Sequence, residues 1–538
     1  MDTSFMNPDS SALPLRKNGE IETRPLHVEE WLETLPYTDF QQTVAVLQSA
    51  LAATHKLGMK PGTRLELLEL YHRPYQYYLN LQIKAGAQLS SRQMETLQQQ
   101  LQLMKQFAAT LAMTARKALD ESANRKTMWG QNKLPLSLVQ HAITYLSHAL
   151  IFTYLEYARP PRNVWKQLHS LYKFSADLGQ HNQHVPLPEG GSATIEQTYS
   201  KIVLTQTVDP YHLPFGAIWE IYQQLGDWVE QTHIQPLQNT GSIQPDSRFV
   251  LDLASDMAPL PLAKFNTDKT SPEHYLLDAS RLAALAGRHQ NALENSQTNP
   301  ELKLSSHSAR SLLAHMTRAW GTPPKRYLPR EDIQGLIQMT YGLNPTHFHI
   351  NGGRDLLQQV NKPQQSVSAD GLDVDGEDHL LHIESTSSNY ATEQWEMVNQ
   401  SAGGFALRKT SKPAQTVRVG ELVGVRVTTG TEKHWCLGVI RWLMANTDQP
   451  GYQLGIQIIA QKAEPVAVRA LQGSQADTQY QRAFLLKQSG DHTLVTGRGL
   501  YTKARSLELA RGEKRHSLTS GRLLETAAGF EQFNIASR

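Results

Sequence analysis

The stretch Trp395-Glu396-Met397-Val398-Asn399-Gln400-Ser401-Ala402-Gly403-Gly404-Phe405-Ala406-Leu407 decides how the C-terminal part of the chain folds. Its first four and last three residues predict two short strands. Between them, Asn399 and Ser401 can bond nearby backbone amides, which favours a turn. Gly403 and Gly404 allow positive φ and leave room for a ligand at the backbone. The stretch therefore predicts a polar corner with Asn399 and Ser401 pointing outward. Such a corner is either an ordinary β-corner or a binding site for a planar polar ligand.

The residues around this corner change to a strand-like pattern. Short apolar runs bounded by Gly, Asn, Asp and Pro predict a small antiparallel barrel. Residues 351–390, rich in Gln, Ser and Asp, interrupt the block and predict a mobile insertion. Residues 466–538 contain more such runs and predict a β extension. The predicted barrel strands are 333–341, 346–350, 395–398, 405–407, 417–427, 435–443 and 452–460.

Residues 27–236 carry apolar positions three and four apart, which predicts a helical domain. Since no fixed sequence period is present, either a bundle or an irregular repeat array is expected. Its many Tyr and Trp residues fit core packing or a peptide groove. Residues 1–26 are polar and predict a disordered tail without a secretory signal. Residues 237–320 predict a connector subdomain with a strand at 249–253 and helices at 276–287 and 306–320.

These patterns define the fold class as multidomain α + β. An N-terminal all-α helical bundle or repeat-like region is followed by an antiparallel β-barrel in residues 321–465 and by the β extension.

Composition restricts the function classes. The 538-residue chain is 40% hydrophobic and 19% charged, which is typical of a multidomain globular protein. Its 52 basic and 50 acidic residues argue against a protein that coats nucleic acid or an anionic membrane. The most apolar predicted helix, 134–158, contains charged and polar residues, so no membrane insertion is expected. The single cysteine, Cys436, excludes an intramolecular disulfide and predicts a buried inert thiol. We therefore expect a cytoplasmic protein.

A basic segment, Lys325-Arg326-Tyr327-Leu328-Pro329-Arg330, directly precedes the first predicted barrel strand. Arg326 and Arg330 lie four positions apart, and a proline restricts the chain between them. A guanidinium group pairs with phosphate, stacks on planar bases and donates to the O6 and N7 edge of guanine. Two arginines facing an Asn-Ser-Gly-Gly corner of the same barrel suit a guanine nucleotide with bridging phosphates. Two surface residues of a linker are the simpler alternative.

The pattern Arg326-x-x-x-Arg330 followed by Asn399-x-Ser401-x-x-Gly404 resembles the two signature motifs of PilZ domains, the bacterial receptors for cyclic di-GMP. The resemblance continues through residues 419–425, 435–442 and 454–457. It implies a PilZ-like barrel of six strands, with Arg326 and Arg330 around the phosphates and guanines of cyclic di-GMP. It also implies that Asn399, Ser401 and Gly404 cup one guanine. We expect no metal. Arg330 and Asn399 lie 69 positions apart, beyond the family's usual spacing, and the 351–390 insertion accounts for most of the excess.

The overall layout is similar to that of FimW-like PilZ effectors, which are tied to surface attachment and type IV pili. It implies a cytoplasmic cyclic di-GMP receptor that signals through its helical region to an unidentified protein partner. A nucleotide-independent structural adaptor with a degenerate PilZ-like barrel is the alternative. No enzyme is expected, since Walker A, HExxH, GxSxG and Rossmann patterns are missing from the sequence. The balanced charge disfavours a nucleic-acid-binding barrel.

An acidic run in the insertion approaches the spacing of a calcium loop. Asp373, Asp375 and Glu377 alternate, and Glu384 falls at the closing position. Asp378 replaces the turn glycine, however, and no helix signal flanks the run. A solvated loop is therefore the favoured interpretation.

Two further pairs have chemically active side chains. His347 and His349 fall on one face of a predicted strand without a third ligand, so histidines on the barrel surface are expected rather than a metal site. Arg511 and Arg515 repeat the arginine spacing at a Gly-containing turn, which predicts an exposed hairpin.

Overall fold

The computed structural model describes residues 12–83, 91–123, 134–238, 244–295, 301–305, 308–321, 331–360, 390–429, 432–446, 450–472, 475–476, 479–488, 491–512 and 514–537. The chain divides into two compact units, Met1–Lys325 and Arg326–Arg538. The first is mainly helical and the second is built from antiparallel strands. This confirms the predicted α + β class. None of the helices in these ranges combines the length and the apolar character of a membrane span.

The helices of the first unit surround one hydrophobic core. Local sequence fixes where they begin: Asp39 accepts a hydrogen bond from the Gln42 amide at 3.0 Å, which caps the second helix. Tyr75 and Tyr145 are fully buried and meet edge to face at 5.9 Å, as expected of aromatic residues that pack a core. The first eight helices are α1 (Pro25–Glu33), α2 (Phe40–Thr54), α3 (Pro61–Ile83), α4 (Ser91–Ala123), α5 (Leu134–Leu155), α6 (Val164–Asp177), α7 (Ile195–Thr207) and α8 (Ala217–Trp228).

Short strands and two more helices complete this unit. A hairpin is formed by β1 (His184–Pro186) and β2 (Ser192–Thr194). A four-stranded sheet has the order β3-β6-β4-β5. Its strands are β3 (His233–Pro236), β4 (Arg248–Asp252), β5 (Leu260–Pro261) and β6 (His274–Asp278), followed by the helices α9 (Ser280–Glu294) and α10 (Ala309–Trp320).

The end of α10 is anchored in the helical core. Trp320 is fully buried, and its indole nitrogen donates to the Thr207 hydroxyl at 3.0 Å. The prediction of a helix from residue 276 is wrong at its start, because residues 274–278 pair with both β3 and β4. Those partners are distant in sequence, and an apolar run this short does not distinguish a strand from a helix.

The second unit begins with a closed six-stranded barrel. Its strand order is β10-β11-β12-β9-β8-β7, with antiparallel pairing throughout. Six of the seven predicted strands therefore form the barrel. They are β7 (Glu331–Tyr341), β8 (Glu393–Ser401), β9 (Gly404–Lys409), β10 (Leu422–Thr429), β11 (Glu432–Ala445) and β12 (Tyr452–Ala460).

The seventh predicted strand, 346–350, is a helix. Gly342 adopts a φ of +85°, which ends β7, and α11 (Leu343–Ile350) follows at once. Pro345 falls in the first turn of α11, where a missing amide proton costs little. The apolar alternation at 346–350 predicted a strand because a helix of only eight residues is too short to show a clear helical period. A short helix, α12 (Leu356–Val360), leads into the insertion, and residues 361–389 lie outside the described ranges.

The predicted β extension is confirmed as β structure, and it closes into a second barrel. The sheet order is β14-β13-β15-β16-β19-β18-β17, and β13 also pairs with β17. Phe484 and Phe530 of this part pack with Leu422 and Val439 in one buried cluster, so the two barrels share apolar contacts. The strands are β13 (Glu464–Gln472), β14 (Gln475–Ala476), β15 (Gln481–Gln488), β16 (Asp491–Thr496), β17 (Ser506–Arg511), β18 (Lys514–Thr526) and β19 (Glu531–Ser537).

Candidate functional site

The polar corner is a tight hairpin between β8 and β9. Pairing continues to Ser401 and Gly404, so only Ala402 and Gly403 form the turn. Ser401 is half-buried, and its hydroxyl lies 3.5 Å from the Gly404 carbonyl oxygen, at the outer limit of a hydrogen bond. Asn399 was expected within the turn but lies inside β8, because the strands stay paired for two residues beyond it.

Gly404 is required by the packing of the barrel. A Cβ atom at this position would lie 1.9 Å from the carbonyl oxygen of Ile456 on β12, far inside contact distance. Its φ is not positive, so Gly404 does not use the conformational freedom that the sequence offered. The glycine allows the backbones of β9 and β12 to approach, with Gln457 as its pairing partner.

Asn399 lies in β8, between β7 and β9, and its side chain is half-buried. It pairs with Asp332 of β7 and with Ala406 of β9. A register shift between Met397 and Asn399 places a β-bulge immediately before it, and bulges redirect neighbouring side chains. The half-buried carboxamide of Asn399 makes no hydrogen bond to any described residue. Its donor and acceptor groups are therefore available to water or to a ligand.

Arg326 and Arg330 lie outside the described residues. The strand that follows them is described from its first residue: Glu331 pairs with Gln400, and Asp332 pairs with Asn399. Hence β7 starts at the same end of the barrel at which β8 finishes. Although 69 positions separate Arg330 from Asn399 in the sequence, the start of β7 lies beside the corner in the fold.

The insertion connects the opposite ends of these two strands. Near that end, Met339 pairs with Glu393, and the Tyr341 hydroxyl donates to the Glu393 carboxylate at 2.5 Å. A strand of this length places those residues roughly 20 Å or more from the corner. The chain returns from the insertion at Tyr390, whose ring stacks on Phe348 of α11 at 4.5 Å. The insertion therefore enters and leaves the barrel away from Asn399 and Ser401.

A guanidinium group beside the corner was not expected from the sequence. Arg441 lies in β11 at a register shift, and its Nε donates to the Gln457 side chain at 2.7 Å. Its Nη2 donates to Glu525 of β18 at 2.9 Å, and its Nη1 bonds the same carboxylate. Arg441 thus links the pairing partner of Gly404 to the second barrel. In the sequence, the only indication of this contact was a charged residue, Arg441, within an apolar strand. Nothing in the sequence pointed to Glu525 as its partner.

The His347 and His349 prediction is wrong in its geometry. Both lie on α11, and His347 is fully buried, where its Nε2 lies 3.2 Å from the Val466 carbonyl oxygen. Burial lowers the pKa of His347 to about 4. His349 bonds the Tyr390 carbonyl oxygen at 2.8 Å and stacks on Trp435 at 4.7 Å. Within the described ranges, no group of three His, Cys, Asp or Glu side chains is arranged to hold a metal ion.

Three other predictions can be placed. Cys436 is buried, and burial raises the pKa of its thiol to about 11, as expected for an inert residue. Arg511 and Arg515 lie at the hairpin between β17 and β18, where Arg511 pairs with Glu464 and Arg515 donates to the Gly512 carbonyl at 2.7 Å. The acidic run from Asp373 to Glu384 lies outside the described residues.

Comparisons with known proteins cover almost the whole chain. Three family models match in succession: the cyclic-di-GMP receptor FimW N-terminal domain over residues 26–239, its middle PilZ domain over 248–379 and 373–465, and its C-terminal β-barrel domain over 466–537. The cyclic-di-GMP receptor FimW of Pseudomonas aeruginosa is 24% identical over 579 residues, which cover 95% of this chain and 90% of the relative. No solved structure matches the chain.

Proposed function

Because the chain belongs to the FimW family of PilZ-domain proteins, we propose that it is a cyclic di-GMP receptor with its ligand site at the barrel end where β7 begins. Arg326 and Arg330 hold the phosphates and stack on the guanines. Asn399 and Ser401 hydrogen-bond the edge of one guanine, and Gly404 keeps the neighbouring backbone close. The protein is a receptor and not an enzyme, and it uses no metal and no nucleic acid.

One observation carries this proposal. Glu331, which follows Arg330 in the chain, pairs with Gln400, which stands between Asn399 and Ser401. The described residue that follows Arg330 in the chain therefore lies beside the corner despite the long separation in sequence, which supports one site for both parts of the motif. The two parts of the motif can therefore serve one ligand.

The carboxamide of Asn399, which has no hydrogen-bond partner in the part of the chain that the structure describes, supports the same function. Unbonded polar groups on an otherwise paired strand need water or a ligand, and this one lies beside Asp332, two residues along the chain from Arg330. A guanine edge offers both donors and acceptors and matches a carboxamide well.

The segment 322–330 joins the two compact units, which suggests how the signal leaves the site. One end follows the buried Trp320, and the other precedes Glu331 in the barrel. A ligand held by Arg326 and Arg330 restricts this connection, so it favours the arrangements of the two units that it binds more tightly. The helical region then gains or loses an unidentified protein partner. The domains of this receptor are residues 27–236, 237–320, 321–465 and 466–538.

We place this receptor in the bacterial cytoplasm, with a role in surface attachment, motility or type IV pilus regulation. The test is a calorimetric titration of the full chain with cyclic di-GMP, with GTP as the control ligand. Saturable binding of cyclic di-GMP alone is expected, together with altered hydrogen exchange in peptides that contain Trp320. A folded chain that binds no cyclic di-GMP, and recruits the same partners with and without it, would instead be a nucleotide-independent adaptor.

A further inference from the structure

A polar cavity of about 220 Å³ lies in the helical unit at the beginning of α7. Glu196 and Ser200 of α7 line it from one side, and Glu230 and Thr232 line it from the segment that precedes β3. This volume is below the roughly 300 Å³ at which pockets for small organic ligands begin. It suits the end of one side chain better than a complete metabolite.

Glu196 is a buried carboxylate without a permanent cationic partner. Its side chain is 8% exposed, and it accepts hydrogen bonds from His233 Nδ1 at 3.0 Å, from the Ile234 amide at 3.2 Å and from the Tyr172 hydroxyl at 3.4 Å. His181 Nε2 lies 3.7 Å from the same carboxylate, and either histidine is charged only when protonated. No Lys or Arg nitrogen of the described residues lies within 4 Å of it. A buried carboxylate is stabilised by hydrogen-bond donors together with a positive charge, and here the donors are present but none of the described side chains around it carries a permanent positive charge.

Ser200 gives a second, independent indication of a missing partner. It is 1% exposed, yet its hydroxyl has no hydrogen-bond partner among the described residues. Serine and threonine within a helix commonly bond the carbonyl four residues back. Thr198 and Thr205 of the same helix do so, at 3.2 Å to Thr194 and 2.7 Å to Lys201. No such bond is made by Ser200, which is one of the residues that line the cavity.

The groups around the cavity select a cation rather than an anion. A helix N-terminus attracts anions through its free amides, but two amides in the first turn of α7 are already bonded. The Gln197 amide donates to the Thr194 hydroxyl at 3.0 Å, and the Glu196 amide donates to the His181 carbonyl at 3.1 Å. At the rim, the exposed Glu230 adds a second carboxylate that forms no ion pair within the described ranges.

We propose that this cavity receives a basic side chain, an arginine by preference, from the protein partner of the helical region. A guanidinium group supplies a positive charge to pair with the Glu196 carboxylate. It also carries several N–H donors in a fixed plane, of which one can bond the Ser200 hydroxyl and another Glu230. The proposal rests on the proposed function only in assigning partner contact to the helical region. It identifies the contact as a charge-complementary site near β3.

The test uses acetyl-arginine amide and its neutral counterpart acetyl-citrulline amide as probes of the full chain, followed by saturation-transfer NMR. The arginine probe is expected to receive saturation, and the citrulline probe is not. Glu196→Gln is expected to weaken the binding of the arginine probe roughly tenfold, because it removes a charged hydrogen bond. Ser200→Ala is expected to weaken it by a smaller factor.

Glu30→Gln is the matched control, since Glu30 is an exposed glutamate of α1 outside the cavity. The proposal would be overturned if both probes received equal saturation or if the arginine probe received none. It would also be overturned if Glu196→Gln bound the arginine probe as tightly as the parent. Binding of free agmatine without binding of the arginine amide would also overturn it, since the cavity would then take a free cation. Cyclic di-GMP titrations of the same preparations keep the two proposals apart, because Glu196→Gln is expected to leave nucleotide binding unchanged.

Discussion

Glu331 and Gln400 are direct partners across β7 and β8, although they are 69 positions apart in the sequence. The pairing joins the strand that follows the arginine motif to the strand that carries Asn399 and Ser401. The intervening insertion leaves from the other end of both strands, beyond Met339 and Glu393. The barrel register thus holds together two sequence motifs that the chain itself separates.

The position of the insertion gives a first prediction. Replacing residues 361–389 with a short Gly-Ser linker is expected to change cyclic di-GMP affinity by less than about threefold, since a change of that size is under 1 kcal/mol. Calorimetric titration of the shortened full chain is the measurement. A folded shortened protein that no longer binds would show that the insertion belongs to the site.

A second prediction concerns Gly404. The Gly404→Ala variant is expected to lose about 1–3 kcal/mol of barrel stability, because its Cβ would overlap the Ile456 carbonyl oxygen. Gly497→Ala is the control, since an added Cβ there meets its nearest atom at 3.8 Å. Calorimetric melting compares the two variants. If Gly404→Ala abolished ligand binding while leaving the melting temperature unchanged, Gly404 would act only on the ligand.

The Arg441 and Glu525 pair gives a third prediction. Both side chains are about one-third exposed, so a double-mutant cycle is expected to give a coupling energy of about 0.5–1 kcal/mol that falls as salt is added. The comparison is the more exposed pair of Arg408 and Glu396, at 2.9 Å, for which a smaller coupling is expected. Equal coupling in the two cycles would mean that Arg441 does not tie the barrels together.

The buried His347 leads to a prediction about pH. Its pKa is lowered to about 4, whereas the unfolded chain takes up this proton near pH 6.5, so stability is complete above pH 6.5 and falls as the pH drops towards 4. At pH 5 the loss from this residue is roughly 2 kcal/mol. Denaturant unfolding of the parent and His347→Gln at pH 8 and pH 5 measures it, with pH 8 isolating the packing cost. An equal pH-dependent loss in both proteins would contradict the assignment.

Cys436 gives the simplest chemical test. Burial raises the pKa of its thiol to about 11 from about 9, so the reactive thiolate is roughly a hundredfold scarcer in the folded protein. The native chain is expected to react with a thiol reagent at least that much more slowly than the chain in denaturant. Comparable rates in the two states would mean that the β11 strand opens readily.

Sequence patterns were sufficient for features that depend on nearby residues. The 3.6-residue and two-residue periods gave the helical region and six barrel strands, whereas the site residues implied by the resemblance to PilZ domains stay a prediction. Three features depended on distant residues and were not accessible in this way. The β6 strand needs β3 and β4, the role of Gly404 needs Ile456, and the bond from Arg441 needs Glu525 of the second barrel. Short apolar runs such as 346–350 also fit a helix and a strand equally well.

The affinity of the full chain for cyclic di-GMP, measured by calorimetry in the parent, Arg330→Ala and Asn399→Ala proteins, tests the shared site most directly. Arg511→Ala serves as the control, since Arg511 lies at a hairpin of the second barrel. Saturable binding is expected for the parent and for Arg511→Ala, with roughly tenfold or greater weakening in each of the other two variants, because each loses hydrogen bonds to the ligand. Folded Arg330→Ala and Asn399→Ala proteins that bind as tightly as the parent, or a folded parent that does not bind, would contradict it.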